Sequence, residues 1–336
     1  MQHDVVGLGN AIMDALVRIE DDSILTELGL VRGQMHPVDD ARWREVFRRV
    51  EPLGAETASG GSCANTISTM ALLGARVLYC GQIGADPFGE AYARSMHATC
   101  GTHALVRSDV HATGKCLSLI STRDGERTML TDLGAAVHLE DFGGFGGEIA
   151  RARLLHLTGY LFLDGPIRSV AHEAVRAARD AGVPISLDVA DPFVARTKTE
   201  DMRRLLKEVV TVGFLNREEA EAVTGRPAHE AVEEIGDWCR VAVVKLGAEG
   251  SLVRAGGRTH AIPVVRVPVA DTTGAGDAYA GGYLYGWLHG WDPDRCGQLA
   301  ARVAALTVRQ VGAVCRDRAA ITDALRAVRG DHATPA

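Results

Sequence analysis

The chain has 336 residues, of which 46% are hydrophobic and 24% are charged, and its formal net charge is −7. This size allows a large domain with a sizeable core, with or without a smaller appended part. An acidic balance without a long basic run argues against a nucleic-acid partner. The seven cysteines are scattered without a Cys-x-x-Cys pair, which argues against a zinc site or a disulfide framework.

The chain opens with an apolar run at residues 5–9 rather than with a charged leader. No uninterrupted apolar run approaches the roughly 18 residues that a membrane span requires. We therefore expect neither a signal peptide nor a membrane partner, and we predict a cytoplasmic protein.

Strands and helices alternate along most of the chain after this first strand. The predicted strands are 5–9, 77–83, 154–162, 185–189, 212–215 and 241–246, and the predicted helices are 88–100, 169–181, 275–289, 294–311 and 317–329. This alternation predicts an α/β fold with a mostly parallel sheet covered by helices on both sides.

Two segments, 13–38 and 103–133, depart from the alternation. Their extended pieces are 15–19, 34–38, 104–108, 115–121 and 127–133, the last two joined by an Asp-Gly turn that is typical of a hairpin. We predict that these segments form a small β-rich lid, with extension of the main sheet's edge as the alternative. The α/β catalytic domain is then expected to comprise 1–12, 39–102 and 134–330, followed by a frayed tail at 331–336.

The most informative motif ends at Asp277. Gly274, Ala275 and Gly276 precede this acid, and an apolar stretch follows at 278–288. Glycines at a helix start let a phosphate approach backbone N–H groups at the positive end of the helix dipole. A carboxylate beside that phosphate could accept a proton from an attacking hydroxyl. A capped core helix with two packing glycines is the structural alternative.

Two familiar signatures fail. Gly114-Lys115 lacks the earlier glycine of a Walker loop, and Cys116 replaces its Ser or Thr. A hydrolase would use Ser62 as the nucleophile of a Gly-x-Ser-x-Gly elbow, but Ala64 breaks that pattern. The 274–277 region therefore indicates a different way of binding phosphate.

A second group of residues suits a hydroxylated ligand. Gly61 and Asn65 belong to a glycine-rich start of the apolar helix 66–73. Glycine permits close approach to the backbone, and the Asn amide both donates and accepts hydrogen bonds. Asp14 follows the first strand and Asn10, where a short carboxylate could bind sugar hydroxyls or simply belong to a turn.

A third group lies at the ends of later strands. Asn216 and Glu219 are three residues apart at a helix start, where they could organise water around magnesium or act only as a cap. Lys245, Gly247 and Gly250 form a strand-end turn that could lie against a nucleotide or be an ordinary hairpin.

Together these segments resemble the ribokinase family, also called pfkB-type carbohydrate kinases. Residues 271–277 resemble its C-terminal signature, 60–65 and 84–89 resemble its N-terminal one, and Asn216-x-x-Glu219 matches its Asn-x-x-Glu element. The resemblance covers about residues 4–329. It implies a ribokinase-like fold and phosphoryl transfer from ATP to a hydroxyl group.

The resemblance also implies a role for each matching residue. Asp277 would be the catalytic base, and the amides of Gly274, Ala275 and Gly276 would form the anion hole. Magnesium would be supported through water by Asn216 and Glu219. The other implied sites are substrate-binding positions at Asn10, Asp14, Gly61 and Asn65, nucleotide-binding positions at Asn216, Lys245, Gly247 and Gly250, and an optional potassium site at Asp271 and Thr273.

The substrate is predicted less narrowly. The segments 7–14, 33–36 and 113–116 resemble the adenosine-kinase branch. However, His36 and Leu161 are expected at the positions where adenosine kinases hold the purine. Ser62 replaces the lysine that ribokinase has between its glycines and its asparagine. Arg127 in the lid hairpin could face a carboxylated or phosphorylated sugar, or only solvent.

We therefore predict an ATP-dependent kinase acting on the primary hydroxyl of a small sugar or sugar derivative. A ribonucleoside kinase is the alternative, and a non-catalytic sugar-binding regulator is a distant one. The resemblance further implies a homodimer formed through the lid.

Overall fold

The computed structural model describes residues 2–141 and 144–330, so the tail predicted at 331–336 lies outside the described residues. The described chain contains fourteen strands: β1 (Val5–Leu8), β2 (Ile12–Ile19), β3 (Met35–Pro37), β4 (Ala55–Gly60), β5 (Val77–Gly84), β6 (His103–Ser108), β7 (Gly114–Ser121), β8 (Arg127–Asp132), β9 (Leu155–Thr158), β10 (Ile185–Asp188), β11 (Val212–Asn216), β12 (Val241–Lys245), β13 (Ser251–Ala255) and β14 (Arg258–Ile262).

Thirteen α-helices are found in the same ranges: α1 (Ser23–Glu27), α2 (Asp40–Val50), α3 (Ser62–Leu72), α4 (Pro87–Cys100), α5 (Gly146–Ala150), α6 (Ile167–Asp180), α7 (Pro192–Thr197), α8 (Thr199–Glu208), α9 (Arg217–Thr224), α10 (Ala228–Trp238), α11 (Ala275–Leu288), α12 (Pro293–Val308) and α13 (Arg318–Arg329). Short 3-10 turns occupy Glu51–Leu53, Gly134–Val137, Gly159–Phe162 and Gly247–Glu249. None of the helices described is long and apolar enough to cross a membrane.

The main sheet has nine strands in the order β14-β13-β12-β11-β10-β9-β1-β5-β6. The strands from β12 to β6 are parallel, and β13 and β14 add an antiparallel hairpin at one edge. Helices α5 to α10 pack on one face, and α3, α4, α11 and α12 pack on the other. Strands buried on both faces explain the continuous apolar runs. The prediction of a mostly parallel sheet covered on both sides is confirmed.

A second sheet of five strands has the order β3-β8-β7-β2-β4. One face packs under α1 and α2, where Trp43, Leu117 and Leu130 are fully buried. The sheet takes strands from both segments that were predicted to be β-rich, 13–38 and 103–133. It thereby supplies the small second sheet that the sequence predicted.

Three assignments of individual strands were wrong. β6, expected in the small sheet, pairs in parallel with β5 at the edge of the main sheet, because α4 provides the crossover that parallel neighbours need. β4, not predicted as a strand, pairs with β2 in the small sheet. The strand predicted at 154–162 ends at Thr158, because Gly159 lies against the Val189 carbonyl and begins a 3-10 turn.

Polar residues gather at the edge where the parallel strands end. Asp188, Asn216 and Lys245 are the last residues of three adjacent strands, β10, β11 and β12. The N-terminus of α11 brings Asp277 to the same region, since both Asp277 and Lys245 line one cavity. Ligands of open α/β sheets bind outside the carboxyl ends of the strands, so a binding site is expected at this edge.

Candidate active site

Asp277 is held by two side chains from the first turn of α3. The hydroxyl of Ser62 donates to its Oδ1 at 2.6 Å, and Asn65 Nδ2 donates to its Oδ2 at 2.9 Å. Thr66 also donates to the Asp277 carbonyl at 3.3 Å. The two glycine-rich segments predicted from sequence therefore meet at one carboxylate. The sequence suggested Ser62 as a hydrolase nucleophile or as the replacement of ribokinase's lysine, and did not predict its contact with Asp277.

The carboxyl group of Asp277 is poised to exchange a proton near neutral pH. Burial raises its pKa to about 6, and the hydrogen bonds from Ser62 and Asn65 limit that rise. Repulsion from Asp188 also raises the pKa, whereas Lys245 lowers it. A carboxylate with this pKa is mostly ionised at pH 7 yet basic enough to accept a proton from a hydroxyl.

The turn before Asp277 has the geometry of an anion-binding helix start. Gly274 adopts a left-handed φ of 73°, and a Cβ at this position would lie 2.2 Å from the Ala313 carbonyl oxygen. Only glycine fits this turn. The Ala275 amide donates to Thr272 O at 3.2 Å, so its availability to a ligand is reduced. The other first-turn amides of α11 have no partner within the helix, as at any helix start.

A buried ion pair lies beside this turn. Lys245 Nζ donates to Asp188 Oδ2 at 2.7 Å, and the side chain of Asp188 is only 1% exposed. Burial alone would lower the pKa of Lys245, but attraction to Asp188 and Glu219 outweighs it and raises the pKa above its ordinary value. Lys245 is therefore a cation within the site. Asp188 was not identified from the sequence, although a carboxylate closing an apolar strand was a usable signal.

Asn216 and Glu219 form a capping box at the start of α9. Glu219 Oε2 accepts a hydrogen bond from the backbone nitrogen of Asn216 at 2.8 Å, and Glu219 Oε1 accepts one from the side-chain Nδ2 of Asn216 at 2.7 Å. Burial raises the pKa of Glu219 to about 7 despite the nearby Lys245. Both carboxylate oxygens are thus engaged within the pair. Contact with an ion through water suits this arrangement better than direct coordination.

These groups line one cavity of about 380 Å³. The lining residues are Ser62, Tyr160, Asp188, Ala190, Asn216, Glu219, Lys245, Gly247, Gly274, Gly276 and Asp277. Tyr160 was not predicted to take part; its hydroxyl donates to Asp191 at 2.9 Å. This cavity therefore brings together the predicted catalytic positions Gly274, Gly276 and Asp277, the predicted magnesium pair, and the predicted nucleotide positions Lys245 and Gly247.

A second cavity, of about 450 Å³, adjoins the first at Gly247. It is mainly apolar, and its walls come from Gly250, the 262–269 segment and α12. Of its lining residues, the sequence identified Gly247, Gly250 and Ala275. Residues 263–269 form no helix or strand, and α12 shows only the ordinary pattern of a core helix, so no local signal marked them.

The acceptor positions surround Asp14 on β2. A Cβ at Gly60 would lie 2.1 Å from Asp14 Oδ2, so the backbone passes directly against this carboxylate. Burial raises the pKa of Asp14 to about 7, with Arg127 opposing the rise and Asp277 adding to it. The predicted Gly61 has a φ of 93° and follows this contact.

Asn10 lies two residues after β1, and its backbone carbonyl lies against the predicted acceptor position Gly61. Its Nδ2 already donates to Ala136 O at 3.2 Å, and its buried Oδ1 has no partner. The amide is therefore anchored through one atom and has an acceptor oxygen free for a ligand.

The predicted potassium positions carry a different arrangement. Asp271 accepts hydrogen bonds from the backbone nitrogens of Thr273, at 2.8 Å, and Gly312, at 2.9 Å. The guanidinium of Arg127 forms an ion pair with the same carboxylate. Burial opposes these partners, but together they hold the pKa of Asp271 below its usual value. Arg127 therefore links the small sheet to the signature turn rather than facing solvent.

Two residues, His36 and Leu161, were expected to line a purine-binding slot. His36 is paired in register with Leu130, on the covered face of the small sheet, and its ring contacts the backbone of Val31. Leu161 is fully buried in the core of the main domain. The expectation that His36 shapes a purine slot is wrong, because strand register places its side chain on the face of the small sheet opposite Asp14.

Comparison with known proteins agrees with this arrangement. The sequence profile of the pfkB family carbohydrate kinases matches residues 48–317. An uncharacterized sugar kinase from Archaeoglobus fulgidus is 30% identical over 246 residues, covering 72% of this chain and 94% of that protein.

Solved structures show the same fold over almost the whole chain. An adenosine kinase from Sinorhizobium meliloti has a TM-score of 0.87 and 31% identity, over 97% of this chain and 100% of the other. A probable sugar kinase from Rhizobium etli has a TM-score of 0.88 and 29% identity, over 97% and 98%.

Proposed function

Because the chain belongs to the pfkB family of carbohydrate kinases, we propose that it transfers the γ-phosphoryl group of ATP to a primary hydroxyl of a sugar or sugar derivative. The observation that carries this proposal is the position of Asp277. Its carboxylate lies at the N-terminus of α11, oriented by Ser62 and Asn65, in the same cavity as the Gly274 turn. An anion-binding turn and a base in one cavity are what hydroxyl phosphorylation requires.

The chemistry follows from this placement. The acceptor oxygen attacks the γ-phosphorus while its proton passes to the Asp277 carboxylate. The bond between the γ-phosphorus and the bridging oxygen breaks, and its electron pair leaves with ADP. Catalysis of this kind depends chiefly on positioning and on stabilising negative charge. The first-turn amides and the helix dipole of α11 provide that stabilisation.

The two adjoining cavities suit ATP. The apolar cavity would take the adenine base, and Gly247, which borders both cavities, would let the phosphates cross toward Asp277. For magnesium, the available donors are oxygens, and Asn216 and Glu219 engage each other, so they would hold the ion through water. When bound, magnesium supplies positive charge to the phosphates.

The potassium positions do not fit a monovalent cation in this conformation. The Asp271 carboxylate already accepts two backbone N–H groups and bears the Arg127 guanidinium. A second cation at the same oxygens would be repelled. We therefore leave potassium out of the proposed chemistry.

The acceptor would bind between the small sheet and the main domain, at Asp14, Gly61 and Asn10. The small sheet would act as its lid, and the Arg127–Asp271 ion pair supports a closed arrangement because it joins the two parts. A homodimer formed through the lid stays a prediction.

A ribonucleoside acceptor is the second candidate. His36, which was expected to weaken a purine slot, lies on the helix-covered face of the small sheet, and Leu161 is buried in the core of the main domain. The similarity to the Sinorhizobium meliloti adenosine kinase, at 31% identity over 97% of this chain, favours it.

An acceptor panel tests the proposal and separates its two forms. ADP release would be measured with pentoses, hexoses, keto-deoxy sugar acids and nucleosides. Turnover that depends on a sugar supports the first form, and turnover on nucleosides alone supports the second. No acceptor-dependent ADP release with any compound would overturn the kinase proposal and favour the distant alternative, a non-catalytic regulator.

A further inference from the structure

The buried Lys245–Asp188 pair has no evident purpose in stabilising the fold. Its Nζ–Oδ2 distance is 2.7 Å, and the two side chains are 15% and 1% exposed. Buried ion pairs are weak contributors to stability, because the cost of removing both charges from water offsets their attraction. Apolar side chains at the last positions of β10 and β12 would pack at least as well. The presence of the two charges is therefore better explained by a function than by stability.

The position of the ammonium group indicates what that function is. A Cβ added at Gly276 would lie 3.1 Å from Lys245 Nζ, so the ammonium lies directly over the anion-binding turn. Asp188 takes one of its three N–H donors. Of the described side chains lining this cavity, Lys245 alone is cationic, whereas Asp188, Glu219 and Asp277 are acids. An ATP phosphate chain entering this cavity would find its only fixed side-chain cation there.

We infer that Lys245, oriented by Asp188, is a catalytic residue that contacts the oxygens of the γ-phosphoryl group during transfer. The inference rests on the proposed function. It has Lys245 contact the transferred phosphoryl group, whereas the sequence predicted only that Lys245 lies in a turn that binds the nucleotide. The ammonium balances the negative charge on the oxygens of the γ-phosphoryl group while that group passes from ATP to the acceptor hydroxyl. Asp188 is a positioning residue that keeps the ammonium on the side of Gly276.

The test separates this role from a structural one by using a single and a double variant. Lys245→Met leaves the Asp188 carboxylate buried without its partner, so it should lower the melting temperature as well as kcat. Lys245→Met combined with Asp188→Asn removes both charges, and the melting temperature should recover. If Lys245 contacts the phosphoryl group, kcat should remain reduced by about 10²–10³ in both variants.

Binding measurements locate the contact. ADP lacks the transferred group, so its affinity for the double variant should stay close to that of the wild type. Lys198→Met is the control for loss of a paired lysine outside this cavity, because Lys198 also forms a 2.7 Å pair, with the exposed carboxylate of Asp164. That variant should keep the wild-type kcat.

Three results would overturn this inference alone. The first is recovery of kcat together with stability in the double variant, which would make the pair structural. The second is a loss of ADP affinity as large as the loss of kcat, which would place Lys245 on the nucleotide. The third is an unchanged kcat in Lys245→Met, and this would leave the kinase proposal intact. Absence of turnover in the wild-type protein would overturn both.

Discussion

The contact between Ser62 and Asp277 gives a prediction in which the sign of the effect can be worked out. Ser62 donates a 2.6 Å hydrogen bond to the Asp277 carboxylate, and this bond favours the ionised form. Replacing Ser62 by Ala removes the donor and leaves the burial that raises the pKa. The pKa of Asp277 should therefore rise above about 6. The ionised base would then be lost at a higher pH than in the wild type.

The size of the shift follows from the strength of the bond. A hydrogen bond to a charged group contributes about 1.5–3 kcal/mol, which corresponds to roughly 1–2 pKa units. Water entering the cavity replaces part of this, and Asn65 continues to hold Oδ2. We expect a net rise of about one unit. Activity at high pH should change little, because Asp277 is ionised there in both proteins.

The assay is the pH profile of kcat at saturating ATP and acceptor. The acid limb is the part of the profile in which kcat falls as the pH is lowered. In Ser62→Ala this fall should occur at a higher pH than in the wild type. Ser95→Ala is the control, because the Ser95 hydroxyl pairs with the Ser59 hydroxyl at 2.8 Å and not with Asp277. An acid limb that coincides in Ser62→Ala and wild type would refute the assignment of that limb to Asp277.

Two further predictions concern nucleotide binding and the signature turn. Ala304→Phe should fill the apolar cavity and raise KM for ATP by about tenfold or more, the equivalent of roughly 1.4 kcal/mol. KM for the acceptor should stay constant. Equal rises in both KM values would contradict an adenine site in this cavity. Gly274→Ala should lower the melting temperature and kcat, since strain at a φ of 73° costs on the order of 1–3 kcal/mol and the new Cβ would meet Ala313 O. Gly290→Ala shares the strain, with a φ of 71°, but has open space; equal destabilisation of the two variants would show that the contact with Ala313 is unimportant.

The sequence predicted the main architecture well because the relevant signals are local. Apolar runs bounded by turn residues marked the parallel strands, and the glycines before Asp277 marked the start of α11. The Asn216–Glu219 spacing indicated a capped helix start, which the structure has as a capping box. Each of these features depends on residues within a few positions of one another.

Other features depend on contacts between distant parts of the chain and could not be predicted in this way. Ser62 and Asp277 are 215 positions apart, and Asp188 and Lys245 are 57 apart. The orientation of His36 depends on the register of β3 against β8, in which a shift of one residue would turn the ring to the other face. β6 has the pattern of a strand in either sheet, and only the α4 crossover assigns it to the main one.

The most direct test of the central claim is single-turnover phosphoryl transfer in Asp277→Asn. Loss of the base should slow transfer by about 10²–10⁴, while ATP and acceptor still bind, because the substitution preserves the shape of the side chain. Asp317→Asn is the matched control, since Asp317 also lies at a helix N-terminus, capping α13 through Ala320 N. We predict a wild-type rate in the control and the large loss in Asp277→Asn. A wild-type rate in Asp277→Asn would contradict the role of Asp277 as the base.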